Sequence, residues 1–92
     1  NLLTRAPRTA VGVKHDGTLL FIVVDGRNKD VSIGATGPEL ADLMIERGVT
    51  QAAMLDGGAS SEMIIGDTIV NTLSAGRERL ISSCFIVFGI ER

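Results

Sequence analysis

Tryptophan and tyrosine are absent from this 92-residue sequence, and cysteine occurs once. The single Cys84 excludes an internal disulfide framework and a zinc site built from several thiolates. Three phenylalanines, a formal charge of −2 and no basic run argue against nucleic-acid binding, because few rings are available to stack on bases. No apolar run reaches the roughly 20 residues of a membrane span. No metal and no cofactor is predicted, since the acidic residues lack EF-hand spacing.

The residues that are abundant indicate one packed domain. Hydrophobic residues make up 45% of the chain and 11 residues are glycine, which is typical of a folded chain and not of a disordered one. A chain of this length hides roughly two thirds of its unfolded surface, enough for one modest core. The predicted class is α+β, with a mixed, mostly antiparallel β-sheet of five to seven strands. One main α-helix is expected over about residues 37–47, and residues 1–92 are expected to form a single domain.

The first half of the sequence predicts a hairpin. Apolar and polar residues alternate over residues 8–14, as in a half-buried strand. Asp16-Gly17 then supplies the positive φ of a tight turn. Residues 19–24 are continuously apolar and predict a central strand buried on both faces. Further strands are predicted over residues 31–34, 49–55, 62–65, 68–71 and 80–90, with a turn at Gly66-Asp67 and Cys84 in the core.

Helix signals flank the residues between these strands. Thr36 and Glu39 have the spacing of a capping box, and Pro38 is tolerated in the first turn. Gly48 supplies a C-terminal stop. One face carries Leu40, Leu43, Met44 and Arg47, with Ala41 and Ile45 beside it.

One stretch, residues 52–63, is the strongest candidate for chemistry. Its apolar residues end at Asp56, and burial of Met54 and Leu55 would hold this carboxylate at the mouth of the core. A second acid, Asp25, also follows a strand and precedes a glycine. After Asp56 the chain supplies glycines, which permit positive φ and anion-binding turns, and hydroxyls, which donate and accept hydrogen bonds. These residues are Gly57, Gly58, Ser60 and Ser61.

Each candidate also has a structural interpretation. Asp56 can cap the amides of a plain turn, and Asp25 can pair with Arg27 at a strand end. The two serines can satisfy turn amides instead of a substrate. Three more polar residues have structural alternatives too: Arg8 at a strand start, Asn71 at a hairpin end and Arg79 paired with Glu78. His15 lies in a turn and is expected to be exposed and idle.

Other catalytic classes fit the sequence less well. A serine-hydrolase nucleophile elbow requires a glycine where Glu62 stands. A P-loop requires Gly-Lys-Ser/Thr, which does not follow the glycines of this stretch. A phosphoacceptor role for Asp56 lacks an acidic pair and a suitably placed lysine.

Six short motifs occur in order along the chain: Pro7-Arg8-Thr9-Ala10-Val11-Gly12, Val24-Asp25-Gly26-Arg27, Pro38-Glu39-Leu40-Ala41, Leu55-Asp56-Gly57-Gly58-Ala59-Ser60-Ser61, Val70-Asn71 and Glu78-Arg79. Taken together, they resemble the phosphodiester glycosidase family. The resemblance covers nearly the whole chain. The sequence departs from the family pattern at Met54, Ala59 and Thr72, where asparagine, a third glycine and proline are common.

The resemblance implies hydrolysis of the bond between a sugar's anomeric carbon and a phosphodiester. Because the transition state carries positive charge on the sugar, a carboxylate beside that carbon stabilises or attacks it. We assign this role to Asp56, with Asp25 as a second carboxylate that acts as acid/base or holds sugar hydroxyls. Arginines suit the phosphate because guanidinium binds its oxygens in a bidentate way. The expected substrate- and phosphate-binding residues are Arg8, Arg27, Gly57, Gly58, Ser60, Ser61, Asn71 and Arg79.

The resemblance has further implications beyond the site. Domains of this family are usually longer, so these residues are expected to be the C-terminal part of a larger domain, completed by a second chain or by a second copy. Bacterial members associated with exopolysaccharide imply an extracytoplasmic or cell-envelope location. The alternative function is non-enzymatic: binding of a phosphorylated glycan, or a structural part of an assembly.

Overall fold

The structure of the chain is a computed structural model that describes residues 2–65, 67–78, 80–81 and 84–88. Within these residues it has an α-helix, a short 3₁₀ helix and five strands, so the α+β class is confirmed. The strands are β1 (Arg8–Lys14), β2 (Leu19–Val24), β3 (Val49–Met54), β4 (Ile64–Ile65) and β5 (Thr68–Ile69), and the helix α1 is Gly37–Glu46. In the described part of the chain, no helix is long and apolar enough to span a membrane.

The first sheet has the order β2-β1-β3, and β1 is antiparallel to both neighbours. Burial alternates along the first part of β1, as the sequence pattern predicted. The Asp16-Gly17 turn is also confirmed, because Lys14 and Thr18 are joined by a backbone hydrogen bond of 2.8 Å and Gly17 has φ of +89°. Since β2 and β3 both run antiparallel to β1, they run parallel to each other, and their C-terminal ends lie at the same end of the sheet, beside the start of β1.

Helix α1 begins and ends where its sequence signals lie. Thr36 accepts a hydrogen bond from the Glu39 amide, and the Glu39 carboxylate accepts one from the Thr36 amide, which completes the predicted capping box. Gly48, with φ of +82°, follows the last helical residues. Capping therefore sets the ends of the helix, and Arg5 reinforces the N-terminal cap by donating a hydrogen bond of 2.6 Å to the Glu39 carboxylate.

The core lies between α1 and one face of the first sheet. Leu40 and Met44 are buried against Ala10 of β1. Gly12 permits this close packing, because a Cβ at that position would lie 2.5 Å from Val49 Cγ1 and 2.7 Å from Met44 Cε. Among the described residues, the buried hydrophobic side chains are few: Ala6, Ala10, Leu40 and Met44.

Two strand predictions need correction. β2 was expected to be central and buried on both faces, but it lies beside β1 at one edge of the three-stranded sheet, and its residues are half-buried or exposed. Met54 was expected to be buried before Asp56, but 41% of its surface is exposed. Both differences have one cause: within the described residues each strand has β1 on one side and nothing on the other. A continuous apolar run indicates that a strand needs to be buried. It does not indicate which neighbouring element buries it.

The second hairpin forms as predicted, although its strands are shorter. β4 pairs antiparallel with β5, and Gly66 of the predicted turn lies outside the described residues. The short strand predicted over residues 31–34 is replaced by isolated bridges, which join Asn28 to Ser32 and Ala6 to Ala35. The expected single mixed sheet is therefore two separate sheets with antiparallel pairings.

The apolar segment near the C-terminus does not form the predicted strand at its described positions. Residues 80–81 and 84–88 have no regular secondary structure, and Cys84 is exposed instead of buried. Phe85 contacts the ring of Phe21 at a centroid distance of 5.6 Å, but Phe88 is 84% exposed. A strand needs backbone partners, and the described residues provide none here.

The helix–sheet core predicts the result of a matched pair of truncations. Leu40→Ala removes a side chain that is 2% exposed and should lower the free energy of unfolding by about 2–5 kcal/mol. Ile45→Ala, in the same helix at a position that is 68% exposed, should change it by about 0.5 kcal/mol or less. Denaturant unfolding followed by circular dichroism measures both, and equal losses would contradict the described core.

Candidate functional site

Both candidate carboxylates lie at the end of the sheet where β2 and β3 terminate. Asp25 follows the last residue of β2, which pairs with Arg8 at the start of β1. On the other side of β1, Ala10 pairs with Met54, and the Leu55 amide donates to the Thr9 carbonyl at 2.8 Å. Asp56 therefore lies one strand spacing from the start of β1, as Asp25 does. Two spacings separate their backbones by about 10 Å.

The direction of the two carboxylates is decided by the turns and not by the strands. Alternation continued past the strand ends would point Asp25 toward the β4–β5 hairpin and Asp56 toward the helix face. A bend at Asp56 ends the alternation. Asp56 is exposed, and the structure records no hydrogen bond or ion pair to its carboxylate within the described residues.

The glycine–serine turn packs directly on the start of β1. The Gly58 amide donates to the Pro7 carbonyl at 2.9 Å, and a Cβ on Gly57 would lie 2.9 Å from that same oxygen. The amides of Ser60 and Ser61 donate to the carbonyls of Gly57 and Gly58, each at 3.1 Å. These three amides hold the turn itself, so the side chains around it have to supply most of the contacts to a ligand.

Arg27 reaches this turn from the loop after β2. Its backbone is left-handed, with φ of +55°, a conformation that few residues other than glycine adopt. Its guanidinium lies against Gly58: a Cβ on that glycine would be 3.2 Å from Nη1. No ion pair joins Arg27 to Asp25 in the described structure. The strained backbone thus delivers an exposed cation to the glycine turn.

Asp25 and Asn71 connect β2 to the second hairpin. The Asn71 amide nitrogen donates to Asp25 Oδ1 at 3.2 Å and to the Ser61 carbonyl at 2.9 Å. Its oxygen accepts from the Met63 amide at 2.7 Å. The Thr72 amide adds a further bond to Asp25 Oδ1 at 3.0 Å. One oxygen of Asp25 is therefore engaged in holding the hairpin.

The two other arginines predicted to bind phosphate are Arg8 and Arg79. Arg8 is buried, and its guanidinium donates to the carbonyls of Ala35 at 2.9 Å and Thr4 at 2.7 Å. These bonds join the start of β1 to the segments before it and before α1. Arg79 lies outside the described residues.

Sequence reasoning missed a pair of acids beside the turn. Glu62 follows the two serines, and its carboxyl lies close enough to the Glu78 carboxyl for the two to interact. Desolvation raises the pKa of Glu62, and the contact with Glu78 raises it further. The Glu62 Oε2 atom is buried without a hydrogen-bond partner among the described residues. The signal was present in the sequence, since both acids stand inside or next to the quoted motifs.

Two buried hydroxyls are also without a partner within the described part of the chain. Ser61 is 2% exposed, and its Oγ, like Thr9 Oγ1, has no hydrogen-bond partner among the described residues. Thr9 and Glu62 line a cavity of about 400 Å³ between the sheet and the second hairpin. A second, open cleft of about 480 Å³ is lined by Ala59, Ala75, Arg77, Glu78 and Leu80. Arg77 adds a cation to this side of the turn that the sequence analysis did not select.

Metal binding has no support from the described positions. Among them, no group of three or more histidine, cysteine, aspartate or glutamate residues is placed to hold an ion. The charged side chains described around this site are those of the aspartates, the two glutamates and the arginines.

The glutamate pair predicts a pH dependence of stability. A glutamate whose pKa is raised by folding contributes stability that is present below its ordinary value, 4.5, and is lost as the pH rises through the raised pKa. Glu62→Gln removes this loss, so it should raise the melting temperature at pH 7 and give no gain below pH 4.5. Glu46→Gln, at an exposed position on α1, is the control and should change neither. A gain that is independent of pH, measured by thermal unfolding, would contradict the raised pKa of Glu62.

Comparisons with known proteins agree with the motifs. A family model described as phosphodiester glycosidase matches residues 1–88. The chain is 38% identical over 81 residues to YomE, an uncharacterized SPbeta prophage-derived protein of Bacillus subtilis, across 88% of this chain and 12% of that one. It is 33% identical over 64 residues to the N-acetylglucosamine-1-phosphodiester alpha-N-acetylglucosaminidase of Bos taurus, across 70% of this chain and 12% of that one.

A solved structure shares the fold. It is the crystal structure of a Burkholderia pseudomallei protein described as exported, with a TM-score of 0.74 and 46% identity, covering 76% of this chain and 13% of that one. This chain thus spans about an eighth of the length of each of these relatives. The matched region contains all the motifs quoted above, and the chain belongs to the phosphodiester glycosidase family.

Proposed function

We propose that this chain carries the carboxylate and phosphate-binding elements for hydrolysis of a glycosyl phosphodiester, the bond between a sugar C1 and a phosphate oxygen. Asp56 is the key carboxylate in this proposal, and Arg27 binds the phosphate. The observation that carries it is the contact of the Arg27 guanidinium with Gly58, two residues after the exposed Asp56. A cation and an unpaired carboxylate beside one turn suit this substrate. The cation matches its negatively charged phosphate, and the carboxylate matches the sugar C1, which becomes electron-poor as the bond breaks.

The chemistry divides between the two charges. As the C1–O bond breaks, positive charge develops on the sugar, and the ionised Asp56 stabilises it. The bonding electrons leave with the phosphate, which departs as a monoester anion held by guanidinium groups. Water supplies the oxygen that becomes bonded to C1. The proton that water loses ends on the phosphate monoester. Proton donation to the leaving group contributes little because a phosphate monoester is already a stable anion.

Asp25 and Asn71 support this arrangement from the other side of β1. Asn71 ties Asp25 to the chain at Ser61, so the β2 end and the glycine–serine turn keep one relative position. The free oxygen of Asp25 then acts as acid/base or holds sugar hydroxyls. The remaining phosphate contacts in the proposal come from Ser60 and Arg79, while the buried Arg8 and Ser61 hold the start of β1 and the turn in place.

The location of the proposed activity is extracytoplasmic or in the cell envelope. It is supported by the Burkholderia relative that is described as exported. A glycosyl phosphodiester in a bacterial exopolysaccharide would be a substrate of this class.

Turnover of a UDP-sugar or an aryl glycosyl phosphodiester tests the proposal. Asp56→Asn keeps the size of the side chain and removes its charge, so kcat should fall by about 10³-fold. Asp67→Asn, an exposed acid beside β5, is the control and should retain activity. Sugar release is measured by chromatography, and equal rates for wild type and Asp56→Asn would refute the assignment.

The contact between Arg27 and Gly58 predicts a second result. Gly58→Ala places a methyl group 3.2 Å from Arg27 Nη1 and displaces the guanidinium, so KM should rise on the order of tenfold, the worth of a charge-assisted hydrogen bond. Gly17→Ala is a matched control, because Gly17 also has positive φ but nothing within 4 Å of the added Cβ. Both variants should lose stability by about 1–2 kcal/mol, while Gly17→Ala should leave KM unchanged.

A binding function without catalysis is the second candidate, and the short span of the chain favours it. These residues match only 12–13% of the length of the relatives, so groups needed for turnover can lie elsewhere in those proteins. Binding of a sugar 1-phosphate without turnover, measured by calorimetry and lost in Arg27→Ala, would support this candidate over hydrolysis.

A further inference from the structure

The outer edge of β3 is open in the described structure. β3 pairs with β1 on one side, through a register that joins Ala10 to Met54. The Leu55 amide bonds to β1, and in an antiparallel ladder alternate residues bond to the same neighbour. The N–H and C=O groups of Ala52 and Met54 therefore point away from β1, toward the open edge. An added strand finds a ready template there.

This edge lacks the features that prevent strand pairing. Natural edge strands are usually protected by charged side chains, by proline or by a bulge that turns the edge away. β3 has the sequence Val-Thr-Gln-Ala-Ala-Met, without a charge or a proline, and all its residues except Val49 are exposed. Its one register shift lies at its start, opposite Lys14. The end of the strand nearest the candidate site is regular.

Grooves between β3 and α1 extend the open edge into a surface. One, of about 180 Å³, is lined by residues that include Met44, Ala52 and Met54. The next, of about 140 Å³, includes Ala41 and Ile45 of α1. Ile45 is largely exposed although it stands beside the buried stripe of the helix. Apolar side chains on one face of an added strand would fill these grooves.

The charge beside the grooves separates two possible occupants. Asp42 and Glu46 are exposed on α1 next to Ile45, and neither forms an ion pair in the described structure. A second copy packed through this surface would bring the same acids together, which is unfavourable. A strand with basic flanking residues would complement them.

The open edge of β3, with Ala41 and Ile45 of α1, is called the β3–α1 surface below. We propose that this surface binds a β-strand from another part of a phosphodiester glycosidase domain. That strand is apolar on the face toward α1 and basic at its flank. The relatives supply the reason for this occupant: in each of them the matched region is embedded in a chain about eight times as long as the match. The proposal depends on family membership and is independent of catalysis by Asp56.

Hydrogen exchange in a chimaera tests the β3–α1 surface. The matched segment of the Burkholderia protein is replaced by the corresponding residues of this chain, and amide exchange is compared with that of the isolated 92-residue chain. The amides of Ala52 and Met54 should be protected at least about 100-fold more in the chimaera. The Ala53 amide faces β1 and should be protected in both. Unchanged exchange of Ala52 and Met54 in a folded chimaera would overturn the proposal.

A pair of variants separates docking from a general effect on folding. Ile45→Lys should leave the melting temperature of the isolated chain unchanged but lower that of the chimaera. Val31→Lys is the control, because Val31 is a similarly exposed apolar residue away from the surface, and it should affect neither. Equal effects of the two variants on the chimaera would overturn the assignment of the surface.

Two further outcomes are also decisive. Analytical ultracentrifugation of the isolated chain should show a monomer in the micromolar range, whereas a dimer that Ile45→Lys dissociates would assign the surface to a second copy and reject the proposal. If the chimaera does not fold, exchange is measured in the unaltered Burkholderia protein at the residues aligned with Ala52 and Met54. Unprotected amides there would reject the proposal as well.

Discussion

The pairing of β1 with strands on both its sides is the constraint on which the site depends. Because β2 and β3 are each antiparallel to β1, their ends lie together beside its start. Asp25 and Asp56 are 31 positions apart in the sequence and two strand spacings apart in the sheet. The Gly58–Pro7 hydrogen bond then fastens the glycine turn to the same strand. Weakening β1 would therefore disperse every element of the candidate site at once.

The site is built mainly from backbone bonds, which leaves few groups free for a ligand. The turn amides of Gly58, Ser60 and Ser61 bond within the protein, and Arg8 is occupied by backbone carbonyls. The charged groups of Asp56 and Arg27, by contrast, are exposed beside the turn. Fixed backbone around two free, opposite charges is a suitable arrangement for an ionic substrate, because little reorganisation is required on binding.

Local signals predicted the helix and the two hairpins well, and strands that depend on distant neighbours poorly. The capping box at Thr36 and the Asp16-Gly17 turn depend on residues a few positions apart, so the sequence contains all their determinants. The burial expected for Met54 and Cys84 depends on what lies across an edge or over a face, and both are exposed. The candidate site shows the same division: Asp56 and its glycines were selected from a motif, whereas the proximity of Glu62 to Glu78 was visible only in the structure.

The sequence by itself determined the helix, the two hairpins and the family, because capping, turn chemistry and motif order are written in short stretches of chain. Only the tertiary structure decided which strand is central, that Arg27 lies on Gly58 and that Asn71 ties Asp25 to Ser61. These contacts join residues up to 46 positions apart. Their formation depends on register and strand order, which hydrophobic pattern alone leaves open because an apolar strand can be buried by any neighbour.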